Sequence, residues 1–271
     1  MLGVRVASFA QASVAVLIPL AAWAFASAIL PQGALPGPFA IFREMLMSSY
    51  RDPLILFQGG GSHGYLPHVW STFWHVGLGG VAGIVAGVFC TLLAVQKPSI
   101  RVAWNTILEF FRTIPPLVLV PFVAVVFGTS DLGRIVTVGA FAAFTAAVYT
   151  FNALGNLPAQ YIQLATLLGA SRWRRLRSIQ LPGIIPELLG SVRLIFAFGL
   201  GISIVVEYLG SDDGIGQVMR VVMAYSRVDL VMVGVLWTVL LAFIFDAGIV
   251  ILFGAFTSWT ERKQLLEWIS R

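Results

Sequence analysis

Few residues in this chain of 271 have the types and spacing that catalysis requires. A His-Glu-x-x-His pair for zinc does not occur, and no Gly-rich Walker-type phosphate loop is present. His63, His68 and His75 have no cysteine or carboxylate at ligand spacing, so no metal site is expected. The chain is predicted not to be an enzyme and to hold no cofactor of its own.

Charged residues inside apolar stretches are the second kind of candidate, because a charge at membrane depth is costly and normally faces a cavity or a partner. Arg112 follows Glu109 by three residues, and these two side chains are expected to pair. Arg193 has two interpretations that the sequence leaves open, which are attraction of an anionic substrate and an ion pair with Glu187 or another acid.

Two further acids share this setting. Glu207 lies near the end of an apolar stretch and is a candidate for lining a pathway. Asp246 lies midway along the last apolar stretch and is interpreted as a residue that packs or hydrogen-bonds between helices.

Composition indicates the kind of secondary structure that carries these residues. With 58% hydrophobic and 11% charged residues, the chain has too little polar surface to cover a soluble globule. A hydrocarbon core needs roughly 20 apolar helical residues to cross it, and these runs are continuous rather than alternating. About six spans of an all-α membrane protein are therefore predicted. They are residues 12–30, 69–95, 113–127, 135–155, 188–206 and 230–256.

The distribution of Lys and Arg predicts the orientation. With the N-terminus in the cytoplasm, the inner segments hold Arg5, Lys97, Arg101, Arg172, Arg174, Arg175, Arg177, Arg262, Lys263 and Arg271. The outer segments hold Arg43, Arg51, Arg134, Arg220 and Arg227. Both termini are therefore expected in the cytoplasm, and the net charge of +5 reflects topology rather than a nucleic-acid partner. The first stretch is interpreted as an uncleaved span rather than a signal peptide, because it is about 19 residues long.

Glycine and proline divide the chain further. Residues 31–67 form an external loop with a short amphipathic piece, and contact with a partner and simple solvation are equally open for it. Gly79, Gly83 and Gly87 share one helix face and are interpreted as close packing within the chain rather than as a dimer interface.

Three prolines interrupt the third span at Pro115, Pro116 and Pro121, and they cannot all sit in a regular helix. Irregular backbone at membrane depth is tolerated where protein or a watery cavity satisfies the freed carbonyls. The segment Arg112–Phe127 is therefore predicted to line a pathway.

Residues 155–185 form the longest polar interruption on the cytoplasmic side. A short helix is predicted over Tyr161–Leu168, ended by a left-handed Gly169, and Ser171 is predicted to cap the next helix. Leu181-Pro182-Gly183 is predicted to turn the chain before Pro186 begins the fifth span. The arginines of this segment would suit anionic headgroups, although such an anchor needs no helix-break-helix before it.

This segment resembles the cytoplasmic signature loop of ABC-importer permeases, in which Glu-Ala-Ala is followed after three residues by Gly and later by a hydrophobic-Leu-Pro group. Leu164–Trp173 and Ile179–Glu187 carry the resemblance. The family's glutamate falls on Gln163 and its first alanine on Leu164.

Three other segments are similar to the nitrate, sulfonate and taurine-type branch of that family. Glu109–Pro121 resembles its third-span motif, and Leu35-Pro36-Gly37-Pro38 resembles its Leu-Pro-rich entry. Glu207 with Gly214-Ile215-Gly216 resembles the end of its fifth span. The resemblance covers nearly the whole chain in order.

The resemblance implies a single permease domain over residues 1–271 with the type I ABC-importer fold, in the bacterial inner membrane. It implies a homodimer that contacts lipid, two ATP-binding subunits that use ATP and Mg, an external substrate-binding protein and a small solute such as a nitrate-, sulfonate- or taurine-like anion. The residues that it assigns to coupling are Gln163, Leu164, Ala165, Leu168, Gly169, Ala170, Ser171 and Arg172. The candidates for the pathway are Arg112, Pro115, Pro116, Arg193 and Glu207.

A rival hypothesis is a secondary transporter driven by an ion gradient. That class would show inverted repeats and discontinuous helices in both halves of the chain. The third span alone is clearly broken, and no internal repeat is visible. An ABC-importer permease that couples to a separate ATPase by alternating access is therefore the preferred hypothesis.

Overall fold

A computed structural model describes residues 2–30, 34–57 and 64–256, and regular structure in these ranges is entirely helical. The helices are α1 (Leu2–Ile29), α2 (Pro38–Ser48), α3 (Pro53–Phe57), α4 (Tyr65–Ala94), α5 (Pro98–Arg112), α6 (Pro116–Phe127), α7 (Asp131–Asn156), α8 (Ala159–Leu167), α9 (Arg172–Arg175), a π turn (Leu176–Gln180), α10 (Leu181–Gly210), α11 (Ile215–Ala224) and α12 (Val228–Phe256). Three of the basic residues predicted to lie in the cytoplasm, Arg262, Lys263 and Arg271, lie outside the described residues.

Four helices of the described residues are long and apolar enough to cross a membrane. They are α4, α7, α12 and the continuous helix Arg172–Gly210, which joins α9, the π turn and α10. The bent pair α5 and α6 makes a fifth if it is one span, and α1 contributes the shorter apolar segment Leu17–Ile29. The predicted all-α membrane fold is confirmed, with four or five spans found by this criterion where about six were predicted.

The core of the bundle depends on a close approach of α4 and α7. A Cβ atom added to Gly83 would lie 2.3 Å from the carbonyl oxygen of Gly139, and one added to Gly87 would lie 2.1 Å from that of Ala143. A Cβ on Gly79 would likewise lie 2.7 Å from the carbonyl oxygen of Ile135. The prediction that this glycine face packs within the chain is confirmed, because α7 occupies it.

The predicted break in the third span is confirmed at residues 113–115, where α5 and α6 meet at 96°. Pro115 has no N–H and holds an extended backbone, and Pro116 occupies the first turn of α6, where no donor is needed. Pro121 stays inside α6. The chain therefore divides here into an exposed helix, α5, and the short apolar helix α6.

The predicted turn at Leu181-Pro182-Gly183 is wrong, because the helix runs without interruption from Arg172 to Gly210. The N–H of Leu181 bonds to the carbonyl of Leu176, five residues earlier, so this turn contains one more residue than an α-helical turn just before Pro182. Pro182 falls at the start of α10, and Pro186 lies inside the helix rather than at its beginning. A wider turn thus accommodates a proline that local sequence rules treat as a break.

The segment predicted as an external loop contains two packed helices. Ile41 of α2 and Ile55 of α3 are fully buried in the main hydrophobic core, together with residues of α11 and α12. Asp52 caps α3 by accepting hydrogen bonds from the N–H groups of Leu54 and Ile55 at 2.8 and 3.2 Å. Helices α2 and α3 therefore belong to the packed core and are not a solvated connector. Residues 31–33 and 58–63 of the predicted loop lie outside the described part of the chain.

The bundle has two distinct ends. The first, called the α11 end, holds the beginnings of α4 and α7, the end of α10, and α11. The second, called the α8 end, holds the ends of α4 and α7, the beginning of α10, and α8. At the α8 end, Asn156 of α7 donates a hydrogen bond to Glu187 of α10 at 3.2 Å, and Gln96 donates to Gln180 at 3.2 Å.

Candidate coupling helix and transport pathway

The short helix α8 ends in a complete C-terminal cap. Gly169 has φ +75°, the left-handed conformation predicted for it. The N–H of Ala170 bonds to the carbonyl of Ala165 at 2.9 Å, and the N–H of Gly169 bonds to that of Thr166 at 3.0 Å. This pair of bonds is the Schellman motif, in which a left-handed glycine satisfies the last carbonyls of a helix. Gly169 therefore stops α8 sharply and redirects the chain.

Helix α8 exposes several large apolar side chains. Leu167 and Leu168 expose 85% and 78% of their area, and Tyr161 and Leu164 are exposed as well. Ala165 is the buried residue of this helix. Contiguous exposed apolar side chains on a short helix mark a surface that another protein covers or that lipid contacts.

The next helix is attached to α8 by side-chain contacts. The hydroxyl of Ser171 accepts a hydrogen bond from the N–H of Arg174 at 3.3 Å, so the predicted N-cap is present. The guanidinium of Arg175 donates to the hydroxyl of Thr166 at 2.7 Å. Because α9 continues through the π turn into α10, this bond connects α8 to a spanning helix.

An apolar cavity of about 400 Å³ lies among α4, α5, α6, α7 and α10. Its lining includes Trp104, Phe111, Phe141, Phe144 and Pro116. Pro116 is the one pathway candidate that contributes to this cavity. The other four, Arg112, Pro115, Arg193 and Glu207, lie elsewhere.

Arg112 and Arg193 both form ion pairs. Arg112 lies 3.9 Å from Glu109 with both side chains exposed, so the predicted pair is present but weak. Arg193 contacts Asp246 of α12 through two hydrogen bonds, at 2.5 and 3.0 Å. An ion pair was one of the two interpretations that the sequence left open for Arg193. Its partner is not Glu187 but Asp246, which lies 53 positions later.

The pair of Arg193 and Asp246 predicts a rescue experiment. Arg193→Ala is expected to destabilise the protein by about 2 kcal/mol or more, because Asp246 loses its ion-pair partner at membrane depth. The exchanged protein, Arg193→Asp with Asp246→Arg, is expected to recover part of that stability. A double-mutant cycle on thermal unfolding in detergent measures the coupling, and additive effects would contradict a direct pair.

Glu207 is fully buried and joins three helices. Its carboxylate accepts hydrogen bonds from Thr72 of α4 at 2.9 and 3.0 Å, from Ser203 at 3.0 Å and from the N–H of Gly216 at 2.9 Å. Thr72 also accepts from the N–H of Ile215 at 3.0 Å. The carboxylate therefore links α4, α10 and the beginning of α11 through neutral donors.

Both glycines that follow Glu207 in the family motif are required by this link. Gly214 has φ +103°, and an added Cβ would lie 2.3 Å from the Glu207 carboxyl carbon. A Cβ on Gly216 would lie 2.2 Å from the carbonyl oxygen of Ile204. The two glycines are thus needed because the turn that contains them packs directly against the buried carboxylate of Glu207.

Arg134, which is 2% exposed at the α11 end, has a structural role that the sequence did not predict. Its guanidinium lies 2.5 Å from Asp131 and 2.5 Å from Asp213, which ties α7 to the loop between α10 and α11. It also donates to the hydroxyl of Ser71 on α4 at 3.3 Å. An available signal was the spacing of three between Asp131 and Arg134 at the start of a helix.

Two of the three histidines also contribute to this end. His68 accepts a hydrogen bond from the N–H of Gly214 at 3.1 Å, and His75 contacts the carbonyl of Ser71 at 2.6 Å. His63 lies outside the described residues. It belongs to the run Gly-Gly-Ser-His-Gly at residues 60–64, which matches the hydrolase pattern Gly-x-Ser-x-Gly. In hydrolases that pattern forms a turn between a strand and a helix, and the described residues contain no strand.

Comparison with known proteins identifies the fold and the family. Residues 79–263 match the family described as binding-protein-dependent transport system inner membrane component. The taurine transport system permease protein TauC of Escherichia coli (strain K12) is 24% identical over 68% of this chain and 66% of its own, just under two thirds of its length. The nitrate import permease protein NrtB of Synechococcus elongatus is 24% identical over 73% of this chain and 70% of its own.

Among solved structures, an inward facing conformation of the MetNI methionine ABC transporter has a similar fold. The TM-score is 0.55 with 22% identity, over 73% of this chain and 97% of that one. The matched family region includes α7, α8, α9 and α10, and hence the capped α8 and the carboxylate of Glu207. The chain therefore belongs to the family of binding-protein-dependent transport system inner membrane components, the membrane permeases of ABC importers.

Proposed function

We propose that this protein forms the translocation pathway of an importer and that α8 is the helix through which a separate ATP-binding subunit drives it. The observation that carries the proposal is a short helix with an exposed apolar surface, Tyr161, Leu164, Leu167 and Leu168, ended by Gly169. A partner that covers this surface would remove it from water, which is the main favourable term in association.

The connections of α8 support a lever. Its N-terminus follows α7 after two residues, and Arg175 joins it to the helix that becomes α10. Movement of α8 by a partner would therefore reach both α7 and α10, the helices that pack against α4 in the centre of the bundle. In this proposal, ATP binding draws two ATP-binding subunits together and the permease alternates between outward- and inward-facing states.

The remaining assembly is proposed on the same basis. A second copy of the permease would complete the pathway, since the 400 Å³ cavity within one chain has apolar walls and contains none of the charged candidates. An external substrate-binding protein would deliver solute at the α11 end, and lipid would cover the outer surface. The α8 end and both termini would lie in the cytoplasm, as the distribution of Lys and Arg predicts.

The substrate class comes from the relatives. Similar proteins are named for transport of taurine, aliphatic sulfonates and nitrate, which are small solutes with an anionic group. We propose a small anion of this kind for the present importer. Uptake of labelled taurine, sulfonate or nitrate by cells with and without the chain tests this part.

Replacing Gly169 with valine tests the coupling role. The Cβ would meet nothing within 4 Å, so the cost arises from the left-handed backbone, about 1–2 kcal/mol for an L-residue. Because 1.4 kcal/mol is a factor of ten, we expect affinity for the ATP-binding subunit to fall about tenfold, with uptake falling in parallel. Co-purification and uptake measure the two effects.

Gly155→Val is the matched control for this substitution. Gly155 also has open space around its Cβ position, and it lies near the end of α7 with ordinary helical backbone. It is expected to keep binding to the ATP-binding subunit and transport close to those of the unmodified protein. Unchanged ATPase binding by Gly169→Val, in protein that folds normally, would argue against α8 as the coupling helix.

A further inference from the structure

The arginines after α8 lie on a helix that can be placed relative to the membrane. On α7, residues 135–155 carry no charge and would span about 31 Å at 1.5 Å per residue, close to the thickness of the hydrocarbon core. Arg134 bounds this stretch at the α11 end and Asn156 bounds it at the α8 end. The hydrogen bond from Asn156 to Glu187 therefore marks the edge of the hydrocarbon core on α10 as well.

The arginines lie well beyond that edge. Arg177 lies ten residues before Glu187, and Arg172 lies fifteen residues before it, on one continuous helix. These separations correspond to about 15 Å and about 22 Å along the helix axis. The polar headgroup layer is about 5–7 Å thick on each side. The arginine-bearing turns thus project past the headgroups into the space that α8 occupies.

Three of these arginines, Arg172, Arg174 and Arg177, are exposed, and we call them the arginine ridge. Arg172 and Arg174 lie in the first turn of the helix, where the backbone dipole disfavours positive charge. Among the described residues at the α8 end, the acids are Glu109, 3.9 Å from Arg112, and Glu187, bonded to Asn156. The ridge is therefore an excess of positive charge that the described part of the chain does not balance.

The ridge supplies charged side chains next to α8, which has none of its own. Residues 159–170 contain no charged side chain, and Gln163 replaces the glutamate of the family pattern, so α8 itself offers only apolar and neutral polar groups. The bond between Arg175 and Thr166 holds the ridge and α8 together. A partner that binds α8 would meet the ridge beside it.

We infer that Arg172, Arg174 and Arg177 bind an acidic surface of the ATP-binding subunit, next to the groove that receives α8. The inference rests on the proposed function and adds the chemistry of the partner. Apolar contact with α8 supplies burial, while the ridge supplies charge complementarity, which steers association and fixes the register of the two proteins.

The test is charge reversal at the ridge. The triple variant Arg172→Glu, Arg174→Glu, Arg177→Glu in the full-length chain, in nanodiscs of zwitterionic lipid, is titrated with the ATP-binding subunit that co-purifies with the unmodified protein. Like charges across the interface are expected to weaken binding by about 100-fold. Binding to the unmodified protein is expected to weaken as salt rises. In the variant this dependence is expected to reverse, because salt screens the repulsion between like charges.

Two control variants keep the result specific. Arg43→Glu reverses an exposed arginine on α2 at the opposite end and is expected to leave affinity unchanged. The triple Arg→Lys variant keeps the charges and is expected to bind within about threefold of the unmodified chain, since the ridge acts through charge. A normal elution profile in detergent shows that each variant is folded.

The possible outcomes separate the two proposals. Unchanged affinity and salt dependence in the Glu variant, while Gly169→Val still weakens binding, would overturn the ridge and leave α8 as the coupling helix. A loss seen in nanodiscs with anionic lipid but not in zwitterionic ones would also overturn it, because lipid would then be the ligand of the arginines. An unmodified chain that binds no ATP-binding subunit would overturn the proposed function and, with it, this inference.

Discussion

Replacing Gly87 with valine is expected to abolish the folded protein. The added Cβ would lie 2.1 Å from the carbonyl oxygen of Ala143 and 3.0 Å from the backbone nitrogen of Ala147, both on α7. Backbone atoms cannot move aside as the end of a flexible side chain can, so α4 and α7 would have to separate. Overpacking ordinarily costs about 1–3 kcal/mol, and we expect this contact between backbones to exceed that range.

The measurement is the yield of monodisperse protein after detergent extraction, followed by thermal unfolding of whatever is recovered. Gly83→Val is expected to behave in the same way, because its Cβ would lie 2.3 Å from the carbonyl oxygen of Gly139. Gly201→Ala is the control, since a Cβ at Gly201 of α10 meets nothing within 4 Å. Recovery of Gly87→Val with normal stability would mean that α4 and α7 do not pack as closely as described.

Replacing Glu207 with alanine is expected to be nearly as damaging. The substitution removes the acceptor for Thr72, Ser203 and the N–H of Gly216 and leaves a void in a fully buried site. A buried donor without a partner costs about 1–3 kcal/mol, and the N–H of Gly216 cannot rotate to find another acceptor. We expect a loss of about 3 kcal/mol or more in the free energy of unfolding, because the beginning of α11 loses its attachment to α10.

A graded series distinguishes lost hydrogen bonds from lost volume. Glu207→Gln keeps the shape and one acceptor oxygen, and the hydroxyls of Thr72 and Ser203 can turn to accept from the new amide. It is therefore expected to be less destabilised than Glu207→Ala. Glu187→Gln, at a partly exposed glutamate of the same helix, is the control and should change stability by less than about 0.5 kcal/mol. Equal effects of Ala and Gln at position 207 would contradict the hydrogen-bond account.

Neighbouring residues largely decide the features that sequence analysis predicted. The end of α8 at Gly169 and the cap at Ser171 involve hydrogen bonds over three to five residues, so local residue types specify them. The interruption at Pro115 and Pro116 has the same origin, because proline removes a donor wherever it stands. Local rules wrongly predicted a chain turn at Pro182, where the helix contains a π turn instead. A widened helical turn and a break can both accommodate a proline, and residue types alone do not distinguish them.

Contacts across helices could not be read from the chain. Arg193 had several acids available in the sequence, and packing of α10 against α12 selects Asp246. Arg134 was counted as a loop charge, yet it is buried between Asp131 and Asp213. The pathway candidates are predicted from charge or proline content alone. Of the five, Pro116 lines the cavity and the other four do not. The position of a side chain relative to a cavity also depends on the rotation of its helix, which neither charge nor proline content specifies.

Residue types and short spacings were sufficient to predict that this protein lies in a membrane, that it is helical and that it resembles ABC-importer permeases. Each of these predictions depends on composition or on residues a few positions apart. An apolar run of about 20 residues that crosses lipid forms a helix, because its backbone N–H and C=O groups must then bond to one another. Helix packing, which the sequence did not predict, places the glycine face of α4 against α7. It also brings Thr72 to Glu207, 135 positions away, where the carboxylate accepts its hydrogen bond. Such pairings depend on how helices pack and rotate against one another, and many combinations of faces are equally compatible with one apolar pattern.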